Sequence, residues 1–195
     1  MGIKQLADTT VTLIDRVNDV IGRLVRWLVL AMLAIGVWNV IARDIVPWLD
    51  HKFSFSPEVS EGLANLSSNA FIEAQWYLFD LLFLLGVAYV IQSDRHVRVD
   101  LFYKDYTPKR KALINLLGTM FFLIPFDLVI MYYSWGFVMR SWRDQEVSPN
   151  PGGLAVYPIK TMILVGFTLL LLQAISEIIK NVQRLQGSRN DLPSS

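Results

Sequence analysis

The chain has 195 residues, of which 53% are hydrophobic and 18% charged, with a formal net charge of +1 and no cysteine. Soluble domains usually carry about 25% charged residues, so this balance and a mean hydropathy of +0.40 point to an integral membrane protein. The missing cysteines exclude disulfides, thiolate metal sites and c-type haem attachment. Basic residues are spread over several loops instead of forming one patch, so no nucleic-acid partner is expected.

The first 23 residues form a long polar lead-in with mixed charges, unlike a cleaved signal peptide. The apolar stretch that follows lacks a small-x-small cleavage site and reads as a retained signal anchor. Within the lead-in, Leu6, Val11, Leu13, Ile14, Val17, Val20, Ile21 and Leu24 recur at roughly helical spacing. Lys4, Asp8, Asp15, Arg16, Asp19 and Arg23 fill much of the rest. Two readings stay open: an amphipathic helix on the membrane face or on another subunit, or the polar start of a long first helix.

Crossing about 30 Å of hydrocarbon takes roughly 20 apolar residues in a helix. Four stretches qualify: about 24–43, 72–91, 112–139 and 160–179. Trp27 and Trp48 suit opposite interfaces of the first span. The third span is long enough to tilt or bend, and Pro125 marks a kink site because it removes a backbone donor. Ahead of the fourth span, "SPNPGGLAVYP" is turn chemistry, with Pro158 suited to a helix start. A shorter helical piece is expected within 57–71. The organisation is thus a single four-span membrane domain over 1–185 and a flexible tail over 186–195. The fold class is all-α, with an N-terminal amphipathic segment.

Orientation follows from Lys and Arg. Thirteen of the 18 lie in the N-terminal segment, the loop between spans two and three, and the C-terminal tail. The positive-inside rule then places both termini and that loop in the cytoplasm. The connections 44–71 and 140–159 face outward.

The sequence offers little catalytic chemistry. Its two histidines, His51 and His96, fall in loops on opposite sides of the membrane, which argues against a haem held between them. It has no glycine-rich phosphate loop and no paired-histidine metal motif. No catalytic residue, cofactor or metal is therefore expected. Glu73, Asp80, Asp127 and Glu177 lie in or at the edges of spans, where a charge is costly. Glu73 and Glu177 lie near span ends and read as solvated interfacial groups. Asp80 and Asp127 lie deeper and read as packing or interface groups. The alternative makes them the ion or proton relay of an autonomous small carrier. No basic residue lies deep in any span to complete such a relay.

Between spans two and three, His96, Arg98 and Asp100 alternate with Val97, Val99 and Leu101. This period of two gives an extended segment one wet edge and one greasy edge. The stretch "GVAYVIQSDRHVRVDLFY" resembles the signature of the small permease subunit of tripartite ATP-independent periplasmic (TRAP) transporters, the DctQ-like family. The resemblance continues in "EAQWYLFDLLFLLG", "SWRDQEVSPNPGGLAVYPIK" and "LLLLQAISEIIK", and covers roughly 24–185. Asp94 departs from the family pattern of glycine or a basic residue at that position.

The resemblance implies a multi-pass protein of the bacterial inner membrane, surrounded by membrane lipid. Its implied partners are a large permease subunit carrying the transport and ion sites, and a periplasmic binding protein that delivers an organic acid. The small subunit is non-catalytic and braces the large one. On this chain, the resemblance makes His96, Arg98 and Asp100 structural or interface residues.

Overall fold

The computed structural model describes residues 2–65, 68–93 and 106–190. Among the described residues, six helices follow in order: α1 Ile3–Phe53, α2 Pro57–Asn65, α3 Asn69–Gln92, α4 Pro108–Gly118, α5 Ile124–Arg143 and α6 Tyr157–Asn190. A π-helical turn, Thr119–Leu123, joins α4 to α5 without a break. Among the described residues, four continuous helical stretches are long and apolar enough to cross a membrane: those of α1, α3, α4 through α5, and α6. The all-α, four-span class expected from the sequence is therefore the observed one. His96, Arg98 and Asp100 lie outside the described residues.

The first span is far longer than its apolar stretch. Helix α1 has 51 residues, about 76 Å at 1.5 Å per residue. It absorbs the lead-in, continues through Pro47 and stops where Ser54 turns left-handed, with φ 46° and its N–H on Asp50 O. Of the two readings of the lead-in, the start of a long first helix is the one found.

The third span begins with Thr107 as N-cap, its hydroxyl accepting from Arg110 N–H, and with Pro108 in the first turn. Pro125 does disturb this span, through the turn just ahead of it. Ile124 N–H reaches back to Thr119 O, one residue beyond the α-helical partner. Proline offers no N–H, and its ring collides with the carbonyl four residues earlier. The wider turn at Thr119–Leu123 sits at that collision point.

Helix α6 is the centre of the bundle. It packs on α3 and on α4–α5, and also meets α1, while α1 otherwise lies along α3. Gly166 shows how close α3 comes: a Cβ there would stand 2.7 Å from Leu84 O. Small residues allow such approach between membrane helices, where dispersion and hydrogen bonds replace the hydrophobic effect as the glue. At its far end α6 stays helical through 186–190, the first residues assigned to the tail from sequence.

Candidate functional site

At the end of the bundle holding the 144–156 loop, Glu73 stands on the second turn of α3, only 3% exposed. Ser148 Oγ donates to Oε1, Asn150 Nδ2 donates to Oε1 at 2.9 Å, and Leu154 N–H donates to Oε2 at 2.6 Å. The loop reaches Glu73 as a tight hairpin. Ser148 N–H bonds Leu154 O, Val156 N–H bonds Glu146 O, and Val147 pairs antiparallel with Ala155. Gly152 supplies the left-handed residue at φ 70°. Gly153 lies so near that a Cβ would stand 2.8 Å from Glu73 Oε1. From sequence, Glu73 is expected to be a solvated interfacial acid. The structure corrects this: it is the acceptor on which the "SPNPGGLAVYP" loop closes.

Further bonds tie the same loop to α1 and α6. Arg43 donates to Asn69 Oδ1, and Asn69 Nδ2 donates to Pro151 O at 3.1 Å. Lys160 of α6 pairs with Glu146 and lies 4.2 Å from the Phe137 ring centroid. That ammonium hydrogen bond holds the Glu146 carboxyl below its ordinary value. Trp142 Nε1 donates to Thr161 Oγ1 at 2.7 Å, and its ring meets that of Tyr157 at a tilt of 58°, with centroids 4.6 Å apart.

A second polar cluster closes the opposite end. Asp15 of α1 accepts from Lys180 Nζ at 2.9 Å and from Ser176 Oγ at 3.1 Å, both on α6. Asn18 Nδ2 donates to Gln173 Oε1 at 2.7 Å, with both side chains buried. Gln173 Nε2 in turn donates to Glu177, which also pairs with Lys180. Gln92, the last residue of α3, donates to Asp15 O and Asp19 Oδ1. Glu177, expected to be solvated, is thus part of an interhelical network.

The two intramembrane aspartates are not joined. Asp80 is exposed in a cleft between α3 and α5 over α6, beside Tyr77, Phe83 and Lys160. Asp127 of α5 is 0% exposed, and neither carboxylate oxygen has a hydrogen-bond partner. One group faces an open cleft and the other is sealed. Among the described residues, no group of three or more His, Cys, Asp or Glu gathers as a metal site.

Four apolar spans, with α1, α3 and α6 tied to one another by polar side chains at one end and all four spans or their loops tied at the other, define a multi-pass membrane protein. Residues 32–184 match the family of tripartite ATP-independent periplasmic transporters, DctQ component. The chain belongs to this family, and is thereby the small permease component of a TRAP transporter in the inner membrane. No curated protein and no solved structure matches it. The sequence signals for the clamps were Glu73 and Glu177 at the edges of spans and Asp15 on the polar face of the lead-in. They lacked any indication that Lys180 would meet Asp15 or that the 148–154 loop would close on Glu73.

Proposed function

We propose that the chain is a non-catalytic brace for the large permease subunit, in ion-coupled uptake of an organic acid delivered by a periplasmic binding protein. Both termini lie in the cytoplasm, by the distribution of Lys and Arg. The observation that carries this reading is the clamping of α6 at both ends. The Asp15–Lys180 network holds one end and the Glu73 loop clamp the other. A frame tied at both faces suits a support against which another subunit moves. The separate settings of Asp80 and Asp127 suit packing or interface roles, since a relay through both needs them within reach of each other.

The test is uptake in proteoliposomes containing the large permease and binding protein, with and without this chain. Uptake should require it. Reconstituted alone, the chain should give no sodium-dependent organic-acid uptake, and robust uptake in that arm would replace the brace with an autonomous carrier.

A further inference from the structure

Helix α1 has two apolar faces, and its own bundle uses one. The inward face carries Ile14, Asn18, Val25, Asn39 and Ala42, all buried. The outward face carries Leu6, Leu13, Val17, Val20, Leu24 and Trp27, all exposed, with Leu24 at 61% and Trp27 at 69%. From Leu13 onward these positions alternate in steps of four and three, an average of about 3.5 and the spacing of a coiled-coil seam. The same register continues through exposed Trp38, Ile41, Ile45 and Trp48. From Leu6 to Trp48 the seam is about 63 Å long.

Lipid covers only part of that length. Helix α3, with 24 residues, is about 36 Å long and roughly matches the bilayer. Its last residue, Gln92, bonds the backbone of Asp15. Everything before Asp15 therefore projects past the end of α3, yet Leu6 and Leu13 are still exposed there. A groove of about 360 Å³ runs along this part, walled by Leu6, Leu13, Val17 and by Leu169 and Leu172 of α6. The segment stands in line with the rest of α1 and is tied to α6 through Asp8–Gln183 and Asp15–Lys180. Laying it on the membrane surface would break those bonds and the helix.

We propose that this outward seam of α1 seats a long helix of the large permease subunit, apolar at the same spacing and acidic beside its cytoplasmic end. The proposal rests on the brace reading above and names its contact surface. Arg16 and Arg23 are exposed on one edge of the seam, and the other edge holds Ile14, Ile21 and Leu28. A second copy of this chain would have to lie parallel, because both copies insert in one direction. It would oppose Arg16 and Arg23 with isoleucine or leucine and stack Trp27, Trp38 and Trp48 on themselves. Carboxylates on a different helix answer both arginines. The seam also begins well before residue 32, where the family match starts.

The experiment is co-purification of the tagged chain with its co-expressed large permease subunit. Leu13→Glu with Val17→Glu should lower recovery of the large subunit at least tenfold, and Arg16→Glu with Arg23→Glu several-fold. Thr12→Glu, exposed off the seam, should leave recovery unchanged and report that a charge in this segment is tolerated. Because the chain has no cysteine, Leu13→Cys gives a single cross-linking site, which should join the large subunit. Normal recovery with both glutamates present overturns the seam, as does Leu13→Cys joining only to itself. Quenching of a label at that cysteine by brominated lipid in the intact complex would assign the face to the membrane and also overturn it. Failure of the unmodified chain to recover any large subunit would instead remove the brace reading.

Discussion

Lys180 Nζ lies 2.9 Å from the Asp15 carboxylate, joining the first helix to the last across 165 positions of sequence. Ser176 and Glu177 extend the contact, so the pair is the middle of a network and not an isolated surface bridge. Side-chain exposures of 19% and 26% keep both groups largely out of water. Removing either partner strands the other in a poorly solvated site. Asp15→Ala or Lys180→Ala should cost about 2 kcal/mol, the scale of charge-assisted hydrogen bonds lost at a part-buried site. Thermal unfolding in detergent would measure it. A double-mutant cycle should return a coupling of about 1 kcal/mol, and strict additivity would show that the two do not act together.

Glu73 makes a different prediction, because its partners are all in one loop. Glu73→Ala removes the acceptor for Ser148, Asn150 and Leu154 together. Limited proteolysis between Ser148 and Leu154 should then quicken several-fold, while the helices stay protected. Glu73→Gln keeps one acceptor oxygen and should fall between. Gly153→Ala should resemble Glu73→Ala, since its added methyl would collide with Ser148 and with Glu73 itself. Unchanged cleavage in both would mean that the hairpin is held elsewhere.

Acid should loosen the same hairpin through Glu146. Its folded value is lowered, mainly by the hydrogen bond from Lys160. A carboxyl lowered by folding contributes stability that is fully present above its unfolded value, about 4.3. That contribution disappears as pH falls through the folded value. Loop cleavage should therefore be flat from pH 7 to 5 and rise below about 4. Glu146→Gln should remove the part of that rise carried by the Lys160 pair, leaving the part carried by Glu73. The pair is partly exposed, with 43% of the Glu146 side chain accessible, so the effect is confined to the loop.

Asp80 and Asp127 can be tested as packing groups. Asp80→Asn and Asp127→Asn keep size and hydrogen-bonding capacity while removing the ionisable proton. The assembled transporter should retain most of its uptake with either. Loss of uptake with normal complex yield would assign that residue a proton or ion role.

Topology offers a direct check of the cytoplasmic orientation. Cysteines placed singly at Ser93 and Asp144 should label oppositely with an impermeant thiol reagent in intact cells, the second from outside. Equal labelling of both would contradict the orientation drawn from the basic residues.

Hydropathy determined the number of spans and their approximate centres, because the bilayer imposes one length and one chemistry on every crossing helix. Pro125 likewise announced its disturbance, since a missing N–H is a local property. The polar residues behaved differently. In sequence, Glu73 and Glu177 look like solvated acids near span ends, and Asp15 like one more charge on the polar face of the lead-in. Only the packing of α1 and α3 against α6 brought Lys180 to Asp15 and the 148–154 loop to Glu73. Asp127 shows the converse, an acid sealed without a partner that no spacing rule distinguishes from Asp80. A side chain's periodicity says which face it occupies. What stands opposite that face depends on segments far away in sequence, 81 positions for Glu73 and Leu154 and 165 for Asp15 and Lys180, and the tertiary structure alone decided it.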